Sequence, residues 1–89
     1  MVDDPGMEAL AQTIVRLREE RRMSARDLAK AAGLDLSTLT PIEECQSEPR
    51  WGTLRQIARG LDTELEDLLG QAEQLERERV SGREGRRGR

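Results

Sequence analysis

The sequence has no histidine, tyrosine or phenylalanine, a single cysteine, a single tryptophan and no long hydrophobic run. Each absence closes a class of function. Without histidine and with Cys45 as the lone thiol, neither a His/Cys metal site nor a Cys-His nucleophile pair can be assembled. Carboxylates are plentiful, but they lie along segments of helical spacing, where a solvated charged face accounts for them. No cofactor is expected and no enzyme. The N-terminal MVDDPGM is acidic and without an apolar stretch, so it reads as neither signal peptide nor membrane segment, and a cytoplasmic location is expected. One unpaired cysteine agrees with a reducing compartment.

What remains to build a core is Leu, Ile, Ala and Met, with Trp51 as its expected largest contributor. Residues that suit strands, aromatic and β-branched, are scarce, and 89 residues suffice for one small domain. An all-α fold follows. Residues 1–6 read as a disordered leader, because Asp-Asp-Pro-Gly offers turn chemistry and nothing to bury. Met7, Leu10, Ala11, Ile14 and Leu17 recur at three- and four-residue steps and predict a first helix from Met7 to Arg22. Arg21 and Arg22 suit its negative C-terminal end.

The organising stretch is Ser24 to Glu44, SARDLAKAAGLDLSTLTPIEE. It reads as two short helices joined at Gly33, with Leu28, Ala29 and Ala32 inward from the first and Leu34, Leu39 and Ile42 inward from the turn and the second. Ala29 is small enough for a close helix crossing, and Gly33 accepts the positive φ of the corner. Ser24 is the expected N-cap of the first helix, with Asp27 in its first turn. Asp35 is the expected cap of the second. Pro41 lies past that helix's first turn, so the helix is expected either to kink there or to restart with Thr40, Pro41 and Glu43 as a capping box.

Farther on, Leu54, Ile57, Ala58 and Leu61 have helical spacing and predict a fourth helix over Gly52 to Leu61. Thr63 with Glu66 reads as a capping box for a fifth over Glu64 to Leu69. After Gly70, residues 71–80 carry Ala72, Leu75 and Arg79 on a thin seam and predict a helical extension. That extension either meets a second copy or folds back on its own domain. The Gly- and Arg-rich residues 81–89 read as a disordered basic tail.

From Leu17 to Leu69, the small residue at Ala29, the glycine at Gly33 and the flanking apolar positions resemble the Xre/Cro-like helix-turn-helix family. The resemblance implies a five-helix, lambda-repressor-like domain over residues 7–70 that binds double-stranded DNA, usually as a homodimer, with the third helix in the major groove. It places the base-reading positions on Leu36, Ser37, Thr40 and Pro41, and the phosphate contacts on Ser24, Arg26, Thr38, Gln46 and Arg50. The sequence departs from the family at several of these places. Ala25 stands where relatives commonly have a phosphate-binding glutamine, Glu44 and Glu48 stand in a stretch that is usually basic or polar, and Cys45 takes a position that favours glycine, where an αL conformation is strained.

The charge balance also bears on function. Residues 1–70 carry net −5 and residues 71–89 net +2, whereas a basic domain is the usual footprint of DNA binding. Two functions therefore stand at this stage. One is a DNA-binding transcriptional regulator, a repressor or antitoxin-like protein whose possible protein partner supplies positive charge. The other is a helix-turn-helix domain re-used as a protein-protein interaction module without specific DNA binding.

Overall fold

The computed structural model describes residues 4–87, with side chains described as far as Arg79. Among the described residues five helices follow one another: α1 (Pro5–Glu20), α2 (Ala25–Ala32), α3 (Leu36–Glu43), α4 (Trp51–Gly60) and α5 (Leu65–Arg87). Leu28, Leu39, Ile42, Ile57, Leu61 and Leu68 meet Met7, Ala11, Ile14 and Leu17 in one core. Each fully buried aliphatic side chain there stabilises the fold by about 1.5–3 kcal/mol through removal from water.

α1 begins earlier than its apolar stripe suggests. The Asp4 carboxylate accepts the Gly6 amide at 2.8 Å and Pro5 takes the first helical position, where its missing N–H is no loss. Residues 4–6 are thus the start of the helix and not part of a disordered leader; residues 1–3 lie outside the described residues. The stripe itself is buried, except that Leu10 is half-buried, and Ala9 and Thr13 join it. They are covered because α1 is packed by α5 as well as by α3. Buried Thr13 satisfies its hydroxyl on the Ala9 carbonyl at 2.8 Å.

α1 to α4 all stop in the same way. At each C-terminus one amide reaches back five residues and its predecessor three: Met23 to Arg18 and Arg22 to Glu19, Leu34 to Ala29 and Gly33 to Lys30, Gln46 to Pro41 and Cys45 to Ile42, Thr63 to Ala58 and Asp62 to Arg59. This motif puts one residue per turn in the left-handed region. Only α2 uses glycine for it, Gly33 at φ 70°; Arg22, Cys45 and Asp62 stand at 55°, 59° and 53°. Each of those three carries a steric cost of about 1–2 kcal/mol that the surrounding packing outweighs. Arg22 also explains why α1 ends at Glu20 and not at Arg22.

Trp51 does not close the core. It is 63% exposed, and Leu54, Ile57, Ala58 and Leu61 complete the interior without it. The reason lies in where α4 begins. Trp51 is itself the first helical residue, side chains on a helix tilt toward its N-terminus, and the indole therefore projects past the edge of the core.

α5 is one helix through Gly70, with no boundary between a fifth helix and an extension. It continues helically through Ser81 to Arg87, where a disordered tail was expected; Gly88 and Arg89 lie outside the described residues. A glycine inside a helix costs about 1 kcal/mol. Docking outweighs it: Leu68 and Ala72 are buried against the domain, and Leu65, Leu69 and Leu75 are half-buried. The packing is antiparallel to α1, as the side-chain pairs show. Arg16 donates to Gln71 at 2.6 Å, while Arg79, eight residues on, reaches Glu8 at 3.3 Å and also Gln12, near the start of α1. Of its two expected dockings, the extension takes its own domain. The Thr63 hydroxyl, expected in a capping box with Glu66, donates instead to the Leu61 carbonyl at 3.1 Å and accepts from Arg21 at 3.0 Å.

Candidate nucleic-acid interface

The α2-α3 pair is set from below by three anchors. Ser24 and Asp27 cap α2 reciprocally: the Asp27 amide reaches the Ser24 hydroxyl at 3.0 Å, and the Ser24 amide reaches the Asp27 carboxylate at 2.9 Å. The Ser24 amide first, and the Ser24 hydroxyl second, stabilise the charged carboxylate and hold the Asp27 carboxyl below its ordinary value. At the other end of α2, Gln56 of α4 donates to the Ala32 carbonyl at 3.2 Å and the Gly33 carbonyl at 3.4 Å, fixing the corner from outside the motif. Gly60 makes that approach possible, since a Cβ there would lie 3.0 Å from Ala32 and from Leu28.

The third anchor holds α3. Arg18 of α1 grips Glu43 with two bonds, at 2.8 and 3.1 Å, and donates a third to the Met23 carbonyl at 2.9 Å. Its side chain is 15% exposed and that of Glu43 is 8% exposed. This forked, charge-assisted pair bridges the first helix to the last turn of the third. One of the two alternatives expected for α3 is thereby corrected: Glu43 does not fold back into a capping box with Thr40, and the helix does not restart at Pro41, which lies inside it. Pro41 removes only the bond its own amide would make, and the Glu44 amide still reaches Thr40 at 3.0 Å. Asp35 is the N-cap by position, but its side chain makes no capping bond.

With Leu39 and Ile42 buried, α3 turns the rest of its surface outward. Of the base-reading positions expected from the resemblance, Ser37 is exposed, whereas Leu36, Thr40 and Pro41 are half-buried. Thr38 is exposed beside them. Of the expected phosphate contacts, Ser24, Arg26, Gln46 and Arg50 are all exposed. Ser24 already accepts the Asp27 amide in the cap of α2. Neither Arg26 nor Arg50 is in an ion pair among the described residues. Arg50 stands near exposed Glu44 and Glu48 in sequence, so the stretch after α3 is of mixed sign.

Reading the sequence missed Arg18, Glu43, Gln56 and Gly60. Arg18 and Glu43 carry no local signal of pairing, because they are 25 residues apart. Gly60 carried a weak one, as a glycine inside a periodic helix often marks a close approach.

Five helices, a tight α2-α3 corner and an outward α3 braced by α1 and α4 define a helix-turn-helix protein. The chain belongs to the helix-turn-helix domain family, which it matches over residues 9–70. It is 38% identical over 58 residues to an uncharacterised HTH-type transcriptional regulator, y4dL, of Sinorhizobium fredii (strain NBRC 101917 / NGR234). That match covers 65% of this chain and 30% of the relative, so the chain spans about a third of the relative's length. Its fold is similar to that of the clp gene regulator ClgR from Corynebacterium glutamicum, with a TM-score of 0.82 at 21% identity over 92% of this chain and 87% of that one. The wild-type restriction-modification controller protein C.Esp1396I shares the fold at a TM-score of 0.68, with 23% identity over 75% of this chain and 90% of that one.

Proposed function

We propose that this protein is a DNA-binding transcriptional regulator that presents α3 to the major groove of duplex DNA and binds as a homodimer on two half-sites in the cytoplasm. One observation carries the reading: the helix-turn-helix pair is braced by residues outside the motif, Arg18 and Gln56, so that α3 stands in a fixed pose with a polar outward face. Its relative is an HTH-type transcriptional regulator. Among the described residues no helix is long and apolar enough to cross a membrane.

The chemistry of the face sets what it reads. Leu36, Ser37, Thr40 and Pro41 include no Arg, Asn or Gln, so no bidentate contact to guanine or adenine is available. Ser37 and Thr40 offer single hydroxyl bonds, Leu36 offers contact with a thymine methyl, and DNA shape supplies part of the discrimination. Ser24, Arg26, Thr38, Gln46 and Arg50 are assigned to phosphates, which set register and not sequence. With so few cations on the face, two linked copies are needed for useful affinity.

Selection of duplexes from a random pool tests the assignment. A recurrent motif is expected, and Ser37→Ala with Thr40→Ala should relax preference at specific positions. Arg26→Gln and Arg50→Gln should weaken all duplexes alike. A pool that emerges unenriched, or arginine variants that alter base preference, would contradict it.

A further inference from the structure

The end of α5 runs past the helix it packs against. Leu68 and Ala72 are buried on the side that meets α1, and Arg79 continues that line to Glu8 and Gln12. Because α1 begins at Pro5 and the packing is antiparallel, the part of α5 from Arg83 to Arg87 lies beyond the start of α1. Val80 is the last apolar residue, and the helical stretch after it reads SGREGRR. Such a stretch has nothing to bury, and its two glycines cost the helix about 1 kcal/mol each. What it offers is charge. Residues 80–89 carry net +3, whereas residues 1–79 carry net −6. Arg83, Arg86 and Arg87 recur at three- and four-residue steps, on one face of a helix, and arginine is the cation whose planar fork matches a phosphate.

The place of this stretch in the fold matches its charge. The start of α1 has two neighbours. One is α5, whose Glu76 would lie 3.4 Å from a Cβ on Gly6. The other is the loop after α3, where Glu48 and Pro49, with Leu54 of α4, share a shallow groove with Asp4, Met7 and Leu10. That same loop carries Gln46 and Arg50, two of the residues assigned to phosphates. α5 therefore leaves the domain beside the phosphate loop, with only the start of α1 between them.

We propose that the end of α5, through Arg83, Arg86 and Arg87, is a second contact with duplex DNA, on phosphates flanking the half-site that α3 meets. The proposal rests on the DNA-binding reading above and supplies cations that the acidic domain lacks. From Arg79 to Arg87 an α-helix spans about 12 Å. Duplex DNA carries a negative charge about every 1.7 Å of its axis, so several phosphates lie along that length. Contacts of this kind add affinity and carry no base information.

Fluorescence anisotropy of a long mixed-sequence duplex, titrated with the full chain over a range of salt, tests this. Arg83→Gln with Arg86→Gln and Arg87→Gln should bind at least about tenfold more weakly at about 50 mM salt, and the slope of log affinity against log salt should fall by about 2–3. Lysine at the same three positions should keep most of both. Glutamine is as good a helix former as arginine, so urea unfolding should not change. Selection from a random pool should return the same motif for the glutamine variant as for the wild type. A glutamine variant with wild-type affinity and slope overturns this inference, and the α3 reading stands if Arg26→Gln with Arg50→Gln still weakens binding. A wild type that binds no duplex at low salt overturns both. A changed motif assigns the three arginines to base edges and overturns their phosphate role. Equal binding of an unstructured single strand through the same arginines assigns the stretch to single strands and overturns it too.

Discussion

Among the described residues Arg18 and Glu43 form the most enclosed ionic contact. They carry out at residue scale what the fold needs at one point, which is to fix the last turn of α3 against α1. Arg18→Met leaves Glu43 enclosed without its partner, and a loss of about 3–5 kcal/mol is expected in urea unfolding, whereas replacing both with apolar residues of similar size should recover much of it. A pair that costs nothing when halved would show the contact to be idle. Asp27 makes a subtler contribution. Its carboxyl is held below the ordinary value by the Ser24 bonds, so the charged form is favoured in the folded state. That stabilisation is fully present above the unfolded-state value and is lost as pH falls through the lowered one. The acid limb of urea stability, measured from neutral pH downward, should therefore be shallower in Asp27→Asn, and an unchanged limb would remove this role.

At the scale of the element, most of the fold was legible because periodicity and turn chemistry are local. Leu28, Ala29, Leu39 and Ile42 fell inward as their spacing demanded, and Gly33 took the positive φ. Ends and neighbours were less legible. Nothing local tells that Arg22 would take the same turn without glycine, whereas for Cys45 the resemblance already pointed to a glycine-favouring position, and it takes the left-handed conformation there. Trp51 was misplaced because helical spacing names a face but not where the core stops along the helix. Glu43 was read as a local cap because its true partner is distant in sequence. The base-facing assignments on α3 came from resemblance alone, and the fold adds that Ser37 is the most open of them. α5 offers a direct test of its continuity. Gly70 sits in mid-helix with open space around a Cβ, so Gly70→Ala should stabilise the protein by about 0.5–1 kcal/mol in thermal or urea unfolding. A destabilised variant would mean that α5 is interrupted there.

For the whole molecule the question is how an acidic domain approaches DNA. The chain carries net −3 overall, yet its charges are not spread evenly over function. Glu43 is neutralised by Arg18, and Glu8 and Glu73 each sit beside an arginine, whereas Arg26 and Arg50 are in no ion pair among the described residues. Binding by this face should be weak per copy and strengthened by dimerisation. Fluorescence anisotropy of a labelled mixed-sequence duplex, titrated with the full chain at about 50 and about 200 mM salt, measures this most directly. Affinity should fall as salt rises, and Arg50→Gln should reduce the slope of log affinity against log salt by about 1. No binding at the lower salt, or a slope unmoved by loss of Arg50 and Arg26 together, would contradict the assignment of DNA to the face built on α3.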